Sequence, residues 1–131
     1  MSEDAWGSAL RGFERHLHLE RNRSPHTCRA YLGDIGHLAA YARTAGVDSP
    51  TAVDLRILRL WLGEQAERGA ARTTLARRAA TARTFFAWAA RSGVVTADPA
   101  QRLAAPRRLR PLRPGLRQPL VHRLRRLLQH A

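Results

Sequence analysis

The stretch Ser24-Pro25-His26-Thr27-Cys28-Arg29-Ala30-Tyr31-Leu32-Gly33-Asp34-Ile35 opens the clearest helix of the sequence. Serine followed by proline is typical of a helix start, because serine accepts a backbone N–H and proline fits the first helical position. A long amphipathic helix is therefore predicted from Pro25 toward Gly46, which supplies the stop. Its apolar stripe consists of Cys28, Tyr31, Leu32, Ile35, Leu38, Ala39 and Ala42.

The same periodicity predicts helices on both sides of this one. A first helix is expected over about residues 4–21, with Ser2 as its N-cap. A third is expected to end before Gly69, and Thr51 with Asp54 resembles a capping box at its start. The predicted core residues of these two helices are Trp6, Ala9, Leu10, Phe13, Leu17, Leu55, Leu58, Trp61, Leu62 and Ala66.

A fourth helix is predicted from a cap at Thr73 to about Arg91. Asp98-Pro99 is expected to open a short fifth helix over about residues 99–105. Strand alternation is nearly absent, so the predicted fold class is all-α, a four- to five-helix bundle over residues 1–105. The inward residues of the fourth helix are Leu75, Ala79, Ala82, Phe86 and Ala89.

Residues 106–131 differ in character and are predicted to form a basic, Pro/Arg-rich C-terminal extension. Four prolines, Pro106, Pro111, Pro114 and Pro119, lie among arginines and exclude a continuous helix. This part is expected to be an extended linker. The last stretch, Leu120 to His130, is predicted to form a short basic helix.

The charge is strongly positive and unevenly distributed. The 131-residue chain has a net charge of +13, and all 23 of its basic residues are arginine. Residues 1–100 contain fourteen arginines and ten acidic residues, whereas residues 101–131 contain nine arginines and no acidic residue. The imbalance predicts attraction to polyanions. A basic tail is usually either solvated or bound to nucleic acid.

Several kinds of site are not expected. Cys28 is the only cysteine, so an internal disulfide is excluded, and its place on an apolar stripe predicts a core residue. His16 and His18 point to different helix faces, and we expect no metal, no cofactor and no small-molecule substrate. The acidic N-terminus and the lack of an apolar run of about 20 residues predict a cytoplasmic protein without a membrane span.

Two helix surfaces carry residues suited to DNA. The fourth helix presents Arg72, Thr73, Arg77, Arg78 and Arg83 outside its core stripe, with Ala76 and Ala80 between them. Small residues beside arginine let a helix approach DNA closely, and guanidinium groups reach phosphates or guanine. By itself, a basic helix face is more often only solvated. Because Arg72 and Arg77 lie outside the stripe, replacing either is expected to change stability by at most about 0.5 kcal/mol.

The start of the second helix offers His26, Thr27 and Arg29 opposite the apolar stripe. These side chains suit groove or phosphate contact. Taken locally, however, an ordinary capped helix start with a surface histidine is the better explanation.

Four motifs in order resemble the N-terminal core-binding, SAM-like domain of the Xer-type tyrosine recombinases in the phage integrase family. Ser24, Thr27, Tyr31, Asp34 and Ile35 match the S-x-x-T-x-x-x-Y-x-x-D-L signature of that domain's second helix. Its fourth helix, its N-P-A turn and its linker are similar to the stretches 69–86, 97–100 and 105–107. The resemblance covers about residues 5–112.

This resemblance implies a helical module that forms half of a clamp around a recombination site on double-stranded DNA, beside other recombinase protomers. It also implies a parent enzyme that breaks and rejoins strands through a covalent phosphotyrosine, without an external cofactor. By position in the motifs and on the exposed basic face, the expected DNA-binding residues are His26, Thr27, Arg29, Arg72, Thr73, Ala76, Arg77, Arg78 and Arg83.

The sequence departs from the family after Leu112. The family's catalytic domain supplies an arginine, a lysine, a His-x-x-Arg pair, a further histidine or tryptophan, and a tyrosine nucleophile. This chain has no lysine and no tyrosine after Tyr41. The run His122-Arg123-Leu124-Arg125 is similar to the His-x-Leu-Arg motif, and we interpret it as coincidence. We therefore expect no catalytic residues and no enzyme activity on this chain, and a truncated or frameshifted reading frame would explain the departure.

Two functions remain open at this stage. The first is DNA binding as the non-catalytic domain of a site-specific recombinase, in DNA integration or chromosome dimer resolution. The second is a small helical interaction module whose arginine-rich tail binds RNA or an acidic protein.

Overall fold

In a computed structural model, the structure of residues 4–106 is described, and within this range it contains four α-helices and no β-strand. The predicted all-α class is confirmed. A π-helical turn, His16–Glu20, continues the first helix, and a 3-10 turn, Pro50–Ala52, precedes the third. The helices are α1 (Ala5–Arg15), α2 (Pro25–Thr44), α3 (Leu55–Glu67) and α4 (Arg72–Arg91).

The start of α2 is as predicted. Ser24 Oγ accepts a hydrogen bond from the Thr27 backbone N–H at 3.1 Å, and Pro25 is the first helical residue. A serine cap satisfies one of the N–H groups that the first turn leaves without a helical partner. The α1 cap is Asp4, whose Oδ1 accepts from Gly7 N at 2.8 Å. The prediction of Ser2 as this cap is wrong, because the helix begins at Ala5 and Asp4 directly precedes it.

The predicted capping box at α3 is wrong. Asp54 is itself the N-cap, and its Oδ1 accepts from the Ile57 N–H at 2.8 Å. Thr51 belongs to the preceding 3-10 turn, and its hydroxyl donates to the Val94 carbonyl oxygen at 3.2 Å. The Asp54 side chain accepts the backbone N–H three residues ahead, as an N-cap does. The helix therefore begins after Asp54, and Thr51 lies in the turn before it.

Two further expectations about α4 and its continuation are wrong. The N-cap of α4 is Ala71, which makes no side-chain cap bond, and Thr73 lies inside the helix. The predicted fifth helix is absent from residues 99–105, which form turns and irregular chain. Asp98 Oδ1 accepts the Ala100 N–H at 2.8 Å, and the Leu103 N–H donates to the Ala100 carbonyl at 3.0 Å, so the segment forms turns without a helical series of bonds.

Helices α2, α3 and α4 end in the same way. Gly46 follows α2 with φ of 80°, a left-handed conformation that glycine adopts without strain. The Val47 N–H then reaches back to the Ala42 carbonyl at 2.8 Å, which satisfies an acceptor at the helix end. Equivalent bonds close the other two helices, from Ala70 N to Gln65 O and from Val94 N to Ala89 O.

The core lies where α1, α2 and α4 meet. Phe85 packs edge-on against Phe13 of α1, with ring centroids 5.2 Å apart, and against its neighbour Phe86 at 4.9 Å. Trp6 is fully buried, and its indole N–H donates to the Val47 carbonyl at 3.2 Å. Cys28 is buried as predicted. On the α3 side the buried residues include Leu58, Trp61 and Leu62.

The C-terminal extension begins at the edge of the described range. Pro106 is the one residue of the predicted extension that the structure describes. The expected linker, the basic helix from Leu120 to His130 and the run from His122 to Arg125 lie outside the described residues. The division at residues 105 and 106 therefore stays a prediction.

Candidate nucleic-acid interface

The exposed side of α4 is basic and contains no acidic residue. The 20 residues of this helix include five arginines, no aspartate and no glutamate. Leu75, Ala79 and Ala82 face the core, and the opposite side of the helix faces solvent at helical spacing. The exposed residues that form this surface, called the α4 face below, are Arg72, Thr73, Ala76, Arg77, Ala80 and Arg83.

The start of α2 exposes two of its three predicted DNA-binding residues. His26 and Arg29 are exposed, and among residues 4–106 neither has a hydrogen-bond or ion-pair partner. Thr27 is half-buried, and its hydroxyl accepts a hydrogen bond from Ser24 Oγ at 2.9 Å. Thr27 therefore supports the helix start, while His26 and Arg29 are available to a ligand.

Asp34 of α2 connects the two helices. Its carboxylate accepts two hydrogen bonds from Arg77, from Nε at 3.0 Å and from Nη2 at 2.7 Å. Arg78 Nε donates to the same carboxylate at 3.3 Å, and the Thr81 hydroxyl lies 3.0 Å from it. Asp34 is only 2% exposed, so its charge is balanced by these partners rather than by water. These four residues are called the Asp34 cluster below.

The Asp34 cluster continues into α3. Arg78 also donates to the side-chain oxygen of Gln65, which in turn donates to the Trp61 carbonyl at 3.0 Å. The indole N–H of Trp61 donates to His37 Nδ1 on α2 at 2.9 Å. A continuous series of hydrogen bonds thus joins α2, α3 and α4 beneath the α4 face.

The arginines predicted to bind DNA therefore fall into two groups. Arg72, at the start of α4, is exposed and has no partner among residues 4–106. Arg77 and Arg78 have side chains that are 49% and 20% exposed and are held by Asp34. Arg83 is exposed, but its Nη1 donates to the Leu103 carbonyl at 2.7 Å and so ties the chain after α4 to the helix.

Hydrogen bonding to Asp34 raises the pKa of the Arg77 guanidinium. The cluster contains two guanidinium groups and one carboxylate, so it remains positive in sum. Arg77 presents this positive charge on the α4 face because half of its side chain is in solvent.

Asp34, Gln65 and Thr81 were not identified as functional from the sequence. One signal was present, since Asp34 lies one turn after Tyr31 and next to Ile35, on the apolar side of α2. A lone acidic residue on an apolar stripe requires a buried partner. That rule predicts a partner for Asp34, although it does not say which arginine.

Other kinds of site find no support in the part of the chain that is described. Residues 4–106 contain no group of three or more histidine, cysteine or acidic residues placed to hold a metal ion. No helix in this range is long and apolar enough to cross a membrane.

Comparison with known proteins identifies the family. The family model described as phage integrase, N-terminal SAM-like domain, matches residues 10–93, which include most of α1 and all of α2, α3 and α4. The chain belongs to this family. The resemblance seen in the sequence motifs is thereby confirmed. No solved structure matches the chain.

The similar curated proteins are tyrosine recombinases. The chain is 50% identical over 113 residues to a protein named tyrosine recombinase XerC from Mycobacterium sp. strain KMS, a match that covers 85% of this chain and 37% of that protein. It is 48% identical over 106 residues to tyrosine recombinase XerC of Mycobacterium bovis strain BCG Pasteur 1173P2, covering 81% of this chain and 35% of that protein. The SAM-like chain thus spans little more than a third of the relatives it matches.

Proposed function

We propose that this SAM-like chain binds double-stranded DNA as the non-catalytic N-terminal domain of a tyrosine recombinase. The observation that carries the proposal is the acid-free α4 face, on which Arg72 and Arg77 are exposed, while His26 and Arg29 are exposed at the start of α2. Arginine side chains of this kind bind phosphate oxygens or the acceptor edge of guanine, and Ala76 and Ala80 leave room for close approach.

The proposed contacts are unequal. Arg72, Arg77, His26 and Arg29 carry most of the binding, because their side chains are exposed. Thr73 and Ala76 allow close approach of the helix. Thr27 and Arg78 contribute less to the contact itself, since both are partly buried as well as bonded within the protein. Arg83 contributes less because its Nη1 is engaged by the Leu103 carbonyl.

Membership of the family supports a proposal for the place of the chain in recombination. It forms half of a clamp on the recombination site, beside other recombinase protomers, while strand cleavage belongs to a catalytic domain that the matched region does not include. A module that makes only part of the contacts is expected to bind with roughly 1–100 μM affinity at physiological salt, as non-specific DNA binding does.

The test is the salt dependence of binding to a fluorescein-labelled duplex. Replacing both Arg72 and Arg77 by alanine should weaken binding and lower the slope of log affinity against log salt by about two, one for each lost phosphate contact. The matched control replaces Arg56 and Arg59, which are exposed on α3. It removes the same charge from a different helix and should leave the slope nearly unchanged. Equal effects of the two pairs would contradict a role for the α4 face.

A chain that ends at Ala105 separates this proposal from binding by the arginine-rich extension. Residues 101–131 carry nine arginines, and such a tail binds polyanions without any folded surface. If the shortened chain retains duplex binding that depends on Arg72, the helical domain is the binding element. If all nucleic-acid affinity is lost with residues 106–131, the chain is instead an interaction module with an RNA- or acidic-protein-binding tail.

A further inference from the structure

We propose that Asp34 is a positioning residue for DNA binding, because it holds the Arg77 guanidinium in the orientation in which it meets the duplex. This inference rests on the proposed function and adds to it a buried acidic residue that makes no contact with DNA itself.

The Arg77 guanidinium is held by a two-point hydrogen bond to Asp34. Its Nε and Nη2 atoms both donate to the Asp34 carboxylate, at 3.0 and 2.7 Å. A guanidinium has five N–H donors in one plane, so three remain after these two bonds. The remaining donors lie on Nη1 and Nη2, at the outer end of a side chain that is half in solvent. That end can still form a two-point contact with a phosphate or with guanine.

The Asp34 carboxylate that holds Arg77 is itself restrained by other side chains. Asp34 is buried, and Arg78 and Thr81 also donate to it. Arg78 is restrained in turn by its bond to Gln65 of α3. An arginine that is already ordered loses less side-chain entropy when it binds than a free one does. Arg77 is therefore prepared for binding, whereas Arg72 must be ordered by the DNA.

Because Asp34 is negatively charged, its role can be tested by whether its replacement strengthens or weakens DNA binding. Removing a negative charge from a DNA-binding protein strengthens binding when only long-range electrostatics matter. Removing the group that orders Arg77 weakens binding instead. The two interpretations therefore predict opposite changes for Asp34→Asn, a substitution that keeps the shape of the side chain.

The experiment measures the affinity of the full chain for a fluorescein-labelled duplex, with folding of each variant checked by circular dichroism. Asp34→Asn should weaken binding by roughly fivefold, the lower end of the loss expected for one ordered arginine contact. Asp48→Asn is the matched control, since Asp48 is exposed outside the helices and has no partner among residues 4–106. It should strengthen binding by about twofold at most.

The outcomes separate this inference from the proposed function. If the unmodified chain shows no salt-dependent duplex binding, the proposed function fails, and the inference fails with it. If the chain binds and Asp34→Asn strengthens binding as Asp48→Asn does, the positioning role is wrong while DNA binding stands. In an Arg77→Ala background, Asp34→Asn should lose its weakening effect, because it acts through Arg77. A purely structural role would keep that effect.

A second variant decides the matter if Asp34→Asn does not fold. Arg77→Lys keeps a positive charge opposite Asp34, but an ammonium group cannot form the two-point bond. Arg72→Lys makes the same exchange at an arginine that Asp34 does not hold. Binding should weaken more for Arg77→Lys than for Arg72→Lys, at equal net charge. Equal losses would overturn the inference.

Discussion

The Asp34 carboxylate is buried and shared among three side chains of α4. Arg77→Ala removes two of its hydrogen bonds and leaves it to Arg78 and Thr81. We expect the free energy of unfolding to fall by about 1–3 kcal/mol, the usual loss when a buried polar group is left partly unsatisfied. Arg72→Ala should cost at most about 0.5 kcal/mol, because Arg72 is exposed. Urea unfolding of both variants measures the difference.

The sequence alone treated these two arginines as equivalent surface residues, and for Arg77 the structure contradicts this. The pair Arg77 and Asp34 is separated by 43 positions in the chain. Periodicity shows which side of a helix faces inward, but it does not show which residues of two helices meet. Equal stability losses for the Arg72 and Arg77 variants would show that the Asp34 cluster does not contribute to folding.

His37 makes stability depend on pH. Burial lowers its pKa from the usual 6.5, and the nearby Arg78 lowers it further, while Asp34 and Glu64 act in the opposite direction and Arg68 in the same. Its Nδ1 must stay unprotonated to accept from the Trp61 indole. Below pH 6.5 the unfolded chain therefore takes up a proton before the folded one does. Stability is expected to fall as pH drops through 6.5 toward the lowered pKa.

The measurement is the free energy of unfolding in urea at about pH 7.5 and about pH 5.5, on either side of the histidine range. His37→Gln keeps a hydrogen-bond acceptor without the titration and should lose less stability on acidification. His26→Gln, at an exposed position of α2, is the matched control and should behave like the unmodified chain. An identical pH dependence for all three proteins would rule out His37 as the source.

At the scale of helices, two helical glycines provide a matched comparison. A Cβ at Gly12 of α1 would lie 3.0 Å from the Trp88 ring, whereas one at Gly63 of α3 would meet nothing within 4 Å. Gly63→Ala should therefore raise the free energy of unfolding by about 0.5–1 kcal/mol, since alanine favours the helix. Gly12→Ala should lack this gain, because the added methyl group would push the Trp88 ring of α4 away from α1. Thermal or urea unfolding of both variants checks the prediction, which fails if Gly12→Ala stabilises as much as Gly63→Ala.

The helices could be predicted from the sequence where caps and periodicity agreed. For α2, Ser24-Pro25 and Gly46 marked both ends correctly. For α4, the periodicity was sufficient to find the helix, but its Ala71 cap carries no side-chain signal. The expected helix after Asp98 does not form, although Asp98 accepts the Ala100 N–H as a cap would, because the following residues make only turns. The π-helical turn at His16–Glu20 could not be foreseen, since its apolar residues fit an ordinary helical spacing as well.

At the scale of the whole molecule, the sequence indicated the exposed basic surface but not how it is held. Of the arginines predicted outside the apolar stripe, Arg72, Arg77 and Arg83 are exposed as expected, whereas Arg78 is partly buried against Asp34 and Gln65. The Asp34 cluster depends on three helices meeting at one point, and the restraint of Arg83 by Leu103 depends on the path of the chain after α4. Such tertiary contacts carry no local sequence signal.

Neither tyrosine of the chain is an exposed residue. The chain contains two tyrosines, both on α2. Tyr31 is half-buried and stacks on Phe13, with ring centroids 6.5 Å apart. Tyr41 is also half-buried, and burial raises the pKa of its phenol, with Glu64 adding to this effect. A nucleophilic phenol needs the opposite, an environment that favours loss of its proton.

We therefore expect no covalent adduct when the chain is incubated with a nicked suicide duplex and analysed by denaturing electrophoresis. A complete tyrosine recombinase serves as the positive control for the substrate. The Tyr31→Phe and Tyr41→Phe variants, like the unmodified chain, should give no covalent protein–DNA band. Duplex binding measured in parallel should persist. A denaturation-resistant protein–DNA band that disappears in one of these variants would show that the chain cleaves DNA, because only a covalent bond through that phenol would survive denaturation and require its hydroxyl.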